Sequence, residues 1–412
     1  MKILVINTGS SSIKYELFDL DHHKILAGGL AEKIGEENGI LTYKRILTNG
    51  VSEKDVEEGV IVDHHEGLSR IVDLLVDPER GVIADKDEIS AVGHRVVHGG
   101  ETFNSTTIID EDVIAAIKEN IPLAPLHNPS NLMGIEVAGS IFPNAPQVAV
   151  FDTAFHQTIP GRAFLYAIPL EMYERHRIRR YGFHGTSHAY VSGQAAEYLG
   201  RPLAGLNLIT IHIGNGASMA AVKNGKSIDT TMGMTPLAGL VMGTRSGDID
   251  PAVPFFMADH LGMSLQEIDS LLNKESGLKG LCGTNDMREV IENMEKGDKR
   301  AAVALDIYTY RIKKYIGAYF AALETVDAII FTAGVGENAP LVREKSCQGL
   351  GRLGIEIDTS RNAAPGGSIR EISTPDSEVK VLVIPTNEEL KIARETKEAI
   401  ENHSEVQGSG VD

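Results

Sequence analysis

The chain has 412 residues, 42% hydrophobic and 23% charged. It is too long for one small core and too apolar for disorder, so two or more globular domains are expected. A formal net charge of −18 argues against nucleic acid or an anionic membrane surface as the main partner. Two cysteines, Cys282 and Cys347, build no disulfide framework; the N-terminus lacks a signal core, and no apolar run reaches membrane-spanning length. A cytoplasmic location is expected.

The first element is Ile3 to Ile6, an unbroken apolar run suited to a strand buried on both faces. Asn7-Thr8-Gly9-Ser10-Ser11-Ser12 then forms a polar turn, and Ile13, Tyr15 and Leu17 alternate as a second strand. Such a tip offers N–H groups and hydroxyls to an anion, with Lys14 as a nearby cation; an ordinary small-residue turn fits the same residues. Residues 21–58 are polar and turn-rich, with hairpins suggested at Asn38-Gly39 and Asn49-Gly50. His22-His23 and His64-His65 read as surface residues. Residues 67–75 carry a helical apolar face, and residues 89–97 form a strand that runs into His98-Gly99-Gly100. Helices over 110–120 and 131–141 flank a rigid stretch in which Pro122, Pro125 and Pro129 bracket His127. A strand over 147–151 delivers Asp152.

Tyr181-Gly182-Phe183-His184-Gly185 leads into a helix with Thr186 or Ser187 as cap and Gly200 as stop. The stretch LITIHIGNGASM, from Leu208 to Met219, then repeats the opening pattern. Laying Gly214 on Gly9, an offset of 205 residues, puts Ile209 on Leu4 and Ile211 on Ile6. Similarity at half the chain length suggests two related lobes, each with an anion-cradling hairpin, against chance likeness of two short strings. Asn224-Gly225 turns a further strand pair, and AAVKNGKS around it lacks the first glycine of a P-loop. Residues 233–251 form a loop that carries Arg245. Helices over 254–260, 265–273 and 299–323 follow, and a strand over 328–332 enters the turn Gly334-Val335-Gly336-Glu337-Asn338. A strand over 379–384 and a helix from Glu388 close the chain.

Strands that end in polar groups are how α/β sheets collect ligand sites, and Arg95, Asp152, His184 and the turns at 214–216 and 334–338 sit that way. Arg95 and Arg245 suit carboxylate or phosphate, or else an ion pair. His184 and His188 have zinc-pair spacing without a third ligand. His184 reads otherwise as a donor to a transferring anion or as a structural histidine. Asp152 and Glu388 could hold Mg²⁺, which takes few carboxylates beside phosphate oxygens and water. This is an inventory for phosphoryl transfer.

The strings NTGSSSIKY, GHRVVHGG, PLAPLHNP, VFDTAFHQTIP, YGFHGTSH, HIGNGAS, MGTRSGDIDP, FTAGVGEN and PTNEEL resemble the acetate kinase (acetokinase) family, in order and across essentially the whole chain. The resemblance implies an α/β fold of two duplicated actin-like, ribonuclease H-like lobes with a nucleotide cleft between them. It implies lobes over 1–151 plus 386–412 and over 152–385, the second binding nucleotide and forming a homodimer. Reversible transfer of the ATP γ-phosphoryl to acetate, giving acetyl phosphate and ADP, is the implied activity, with Mg²⁺ or alternatively Mn²⁺. Asn7 and Glu388 would lie at the metal, and Lys14 at the nucleotide phosphates. Arg95 would bind the carboxylate, and Asp152, His184, Arg245 and Asn215 would be catalytic. His212, Ile213, Gly214, Asn215 and Gly216 would cradle phosphate. Asp286, Met287 and Arg288 would lie near the adenosine with Gly334, Val335, Gly336, Glu337 and Asn338. Val97, Leu126, Phe183 and Pro236 would wall a methyl pocket beside His127. Thr230, Met234 and Ala238 depart from the family's usual Ser, Phe and Glu. A propionate kinase is the nearest rival, because one methylene in an apolar pocket is worth only about 1–3 kcal/mol. An actin- or Hsp70-like ATPase would lack Arg95 and the pocket.

Overall fold

The computed structural model describes residues 1–47, 50–125 and 127–408, the side chains of 406–408 excepted. Contacts divide it into one unit of Met1–Ala154 with the chain from Asn387 onward, and a second of Phe155–Thr386. The sequence-based divisions at 151/152 and 385/386 fall slightly earlier, and Asp152 belongs to the first unit.

The N-terminal alternation builds β1 (Lys2–Gly9) and β2 (Ser12–Asp19). The turn-rich stretch after them resolves into β3 (Lys24–Glu32), β4 (Gly39–Ile46) and β5 (Ser52–Gly59). β5, reading SEKDVEEG, buries nothing and so shows no apolar period. The turn between β3 and β4 lies before Gly39, which itself opens β4; Asn49 of the other expected turn is outside the described residues. β6 (Ile89–Val96), β7 (Thr107–Ile108) and β8 (Gln147–Phe151) complete a sheet of order β5-β4-β3-β2-β1-β6-β8-β7. On one face Leu4, Ile6, Ile13, Tyr15 and Leu17 pack with Leu68, Ile71 and Leu75 of the helix His64–Val76. On the other, Ile3, Val5, Phe18 and Val150 meet Ile392 and Ala393 of the helix Glu388–Gly408. Covering both faces is what the continuous apolar run requires.

The second unit holds β9 (Asn207–Ile213), β10 (Ala217–Lys223), β11 (Lys226–Thr230), β12 (Ala328–Thr332), β13 (Arg370–Glu371) and β14 (Lys380–Val383). Their order is β11-β10-β9-β12-β14-β13. Each sheet thus contains an antiparallel meander continued by two parallel strands: β3-β2-β1-β6-β8 in the first and β11-β10-β9-β12-β14 in the second. This is the duplication behind the 205-residue likeness. The tips differ, with Ser10 and Ser11 between β1 and β2 but Gly214–Gly216 between β9 and β10. Asn224 and Gly225, at φ 53° and 80°, make the two-residue turn into β11.

Some boundaries near the candidate site differ from expectation. The helix Asn128–Ile141 starts three residues early, with Pro129 in its first turn, where a missing N–H costs nothing. The helix Gly185–Leu199 is entered through His184 at φ 58°, so Thr186 and Ser187 lie inside its first turn rather than capping it. Residues Ala333–Asn338 form a short helix rather than a turn, entered through Ala333 at φ 64°. Among the described residues, no helix is long and apolar enough to cross a membrane.

Candidate active-site groups

In the first unit the pleat itself gathers the groups. Side chains alternate faces along a strand. Val5, Phe18 and Val150 lie under the C-terminal helix, and Asn7, Lys14 and Asp152 continue that same face. Asn7 and Lys14 are direct cross-strand partners. Arg95 follows Gly93 on β6, where an added Cβ would lie 2.4 Å from Thr396 Oγ1 of the covering helix. That helix begins at Glu388, and Asn387 Oδ1 accepts from Leu390 N at 2.8 Å.

Arg95 Nη2 donates to Asp152 Oδ2 at 2.9 Å, and its Nε lies 3.7 Å from Glu388 Oε2. Asp152 is 1% exposed. Lys14 pairs with Glu389. Burial pushes the Glu388 carboxyl up to about 7; Arg95 opposes the shift, Asp152 and Glu389 add to it, and Lys14 opposes it. A buried carboxylate whose charged form is disfavoured in this way gains from a bound cation. Among the described residues no group of three or more His, Cys, Asp and Glu could hold a metal alone. The hard oxygens of Asn7, Glu388 and Asp152 fit Mg²⁺, which takes its remaining ligands from water and phosphate.

Val97 is buried, and its N–H donates to Asn131 Oδ1 at 3.0 Å while Asn131 Nδ2 donates to Thr8 O at 3.0 Å. One asparagine therefore clasps the ends of β1 and β6. His127 is exposed at the start of its helix, and Leu126 is outside the described residues. His64 is buried, contrary to the surface reading, because Nε2 hydrogen-bonds Gly9 O at 2.8 Å and so steadies the hairpin tip.

In the second unit the groups converge on the β9–β10 tip. A Cβ at Gly216 would lie 2.8 Å from Arg245 Nη2 and 3.4 Å from His184 Nε2, so both donors approach this glycine closely and a larger residue would push the Arg245 guanidinium aside. Arg245 Nη1 donates to Pro236 O at 2.7 Å, and burial lowers its pKa. His184 stacks on His212 with centroids 4.1 Å apart. His212 Nδ1 meets Ser187 Oγ, which meets Thr386 Oγ1, each at 2.8 Å. His184 and His188 do not chelate: Nδ1 of one and Nε2 of the other share Ser218 Oγ. Asn215 is exposed, with Asn285 Nδ2 donating to its Oδ1 at 3.1 Å. Ile213 and Phe183 are buried.

Asp286 caps the helix Met287–Glu295 and is chelated by Arg288, which holds its carboxyl down at about 2. Met287 is 5% exposed and turns into the core, while Arg288 is open to solvent. In the 334–338 segment, Gly334 and Asn338 are exposed and Gly336 buried. Arg343, 0% exposed, donates Nη1 to the carbonyls of Gly336 at 2.8 Å and Glu337 at 3.0 Å. Glu337 Oε1 accepts from Thr386 N at 3.2 Å. Four residues here escaped sequence reasoning. Asn131 and Arg343 sit on helices with no local signal, Asn285 precedes an otherwise recognised string, and Ser218 read as a restarting strand.

Two sheets that share a five-strand order, each with a short hairpin tip between its two leading antiparallel strands, have the actin-like ATPase and sugar-kinase fold. The acetokinase family model matches residues 2–394, and the chain belongs to that family. It is 59% identical over 404 residues to the acetate kinase of Thermotoga petrophila, covering 97% of this chain and 99% of that protein. The crystal structure of Porphyromonas gingivalis acetate kinase is similar at a TM-score of 0.91 and 47% identity, with 97% of this chain and 99% of that one covered. A propionate kinase from Francisella tularensis subsp. tularensis SCHU S4 is similar at 0.89 and 45%, with 96% and 99% covered.

Proposed function

We propose that the chain catalyses reversible, Mg²⁺-dependent transfer of the ATP γ-phosphoryl to acetate, giving acetyl phosphate and ADP. The convergence of Arg245 and His184 over Gly216 carries the reading, because a phosphoryl in flight needs donors on its equatorial oxygens. An acetate oxygen forms the new O–P bond while the bond to the β-γ bridging oxygen breaks, and ADP leaves with that electron pair. Acetate is already ionised, so no base is required. Arg95 binds the carboxylate. Asp152, whose Oδ2 accepts from Arg95, orients that guanidinium rather than moving a proton. Asn7 and Glu388 hold Mg²⁺, which when bound neutralises the polyphosphate charge. Lys14 and the 212–216 tip take nucleotide phosphates, with Asn215 on the transferring group. The segments 286–288 and 334–338 take the adenosine.

On the same reading the acetate methyl group is assigned to Val97, Phe183 and Pro236, with His127 also assigned to the acceptor. Thr230 is 1% exposed and donates Oγ1 to Met219 O at 2.9 Å, which supports a role in strand pairing instead of the pocket. Of the departures from the family pattern, Met234 and Ala238 are then the ones able to alter chain-length preference. A cytoplasmic homodimer is part of the same reading. Val303, Ile307 and Tyr310 support it, as an exposed apolar stripe on the helix Lys299–Leu323, beside exposed Phe255, Phe256 and Leu265 elsewhere in that unit. Comparing kcat/KM for acetate, propionate and butyrate tests the acceptor. Acetate first with propionate weaker is expected; propionate first moves the assignment to that acid.

A further inference from the structure

Behind His184 runs a line of buried groups that the transfer chemistry above leaves unused. His184 Nδ1 and His188 Nε2 both meet Ser218 Oγ at 2.8 Å. His188 Nδ1 meets Thr210 Oγ1 at 2.7 Å, and Thr210 Oγ1 reaches Ala220 O at 3.5 Å. Thr210 and Ala220 are register partners of β9 and β10, so the sheet itself holds the last contact. Ser218, His188 and Thr210 are each 0% exposed.

The protons can be counted. Each hydroxyl has one. His188 has one N–H, because burial first, then His156 and His212, drives its pKa well below the ordinary value and keeps the ring neutral. Ala220 O can only accept. A proton in every contact requires one order: His184 Nδ1–H to Ser218, Ser218 to His188 Nε2, His188 Nδ1–H to Thr210, and Thr210 to Ala220. Run the other way, the last contact has no proton.

We infer that Ser218, His188 and Thr210 form a proton-ordering relay that keeps the Nδ1–H on His184, so that its Nε2 donates to the transferring phosphoryl only as the imidazolium. The inference rests on the reading that Nε2 faces that phosphoryl. A bare Nε2 lone pair repels phosphoryl oxygens, whereas the protonated ring makes a charge-assisted bond to them. Among the described contacts, the titratable groups about the ring are Arg245, converging over Gly216; His212, stacked on it; and His188, with His156 edge-on behind. Arg245 opposes a second charge at that point until an anion arrives. His184 therefore takes up its proton with the polyphosphate, and Ser218, His188 and Thr210 are positioning residues.

Nitrogen-15 spectra of histidine-labelled protein read the tautomer without turnover. The free wild-type protein should show His184 as the Nδ1–H form. Thr210→Val leaves His188 Nδ1–H without its acceptor, so the relay reverses and His184 becomes the Nε2–H form; Thr210→Ser restores the original. In the same variants kcat should fall roughly 10- to 100-fold with valine, as expected for losing an outer bond that orients a histidine, with KM for acetate little changed. The alkaline decline of wild-type kcat should flatten in the valine variant and return with serine. An Nε2–H His184 in the wild type overturns the relay, as does a valine variant with unaltered tautomer and alkaline limb. If the valine variant does not fold, the wild-type tautomer decides. An Nδ1–H His184 in a protein that turns over ATP without needing acetate would instead remove the acetate reading and leave the tautomer standing.

Discussion

Arg95 and Arg245 carry the same charge in different settings, and that difference predicts different kinetics. Arg245 is tethered by Nη1 to Pro236 O, with Nη2 beside Gly216; on the proposed function it would act there on the transition state. Arg245→Ala should lower kcat about 10³-fold with a much smaller change in KM for acetate. Arg95 is held by Asp152 and would meet ground-state carboxylate, so Arg95→Ala should chiefly raise that KM. Steady-state kinetics separate the two, and equal effects on both parameters in both variants contradict the division. His94 makes a stability prediction. Burial lowers its pKa from 6.5 to about 4, with Gln147 Oε1 2.7 Å from Nε2. Between those values the unfolded chain binds the proton and the folded chain does not, so stability is full above about 6.5 and is lost as pH falls toward 4. The loss amounts to about 3 kcal/mol. Urea midpoints at pH 7 and pH 5 should differ more in the wild type than in His94→Gln.

At the scale of elements, the C-terminal helix joins fold to chemistry, because its buried face packs on β1, β2 and β8, it passes close to Gly93 of β6, and its first residue is Glu388. Gly93 permits the approach: a Cβ there would lie 2.4 Å from Thr396 Oγ1 and 3.0 Å from Ile392 Cγ2. Gly93→Ala should cost roughly 1–3 kcal/mol in overpacking and, by displacing the helix, weaken Mg²⁺ binding, so that more Mg²⁺ is needed for half-maximal rate. Adding Thr396→Ser, which removes a methyl group but keeps the hydroxyl, should restore little, whereas Thr396→Ala should restore much of both. Sequence pattern resolved the elements with a clear period, among them β1, β2, β9 and the 25-residue helix Lys299–Leu323. It failed at β5, whose exposed edge has no period to read. It failed also at His184 and Ala333, whose left-handed φ lets a helix start without a conventional cap. Such φ values in non-glycine residues cost about 1–3 kcal/mol and collect at functional sites, which is why local preference misreads them.

For the whole molecule, the duplication organises everything else. A likeness of twelve residues at a 205-residue offset became two sheets sharing a five-strand order. Arg95, Asp152 and Arg245 were legible because each ends a strand or sits in a glycine-rich loop. Ser218, Thr210, Asn131 and Arg343 were not, since what they do depends on partners distant in sequence. The acidic chain meets its anions with a few buried or tethered cations, so function hangs on geometry and not on net charge. The most direct test follows ADP release from Mg-ATP while trapping the product with hydroxylamine, with and without acetate. One acetyl hydroxamate per ADP, and no ADP without acetate, is the predicted result. ADP released at the same rate whether or not acetate is present would contradict transfer to acetate and leave an ATPase.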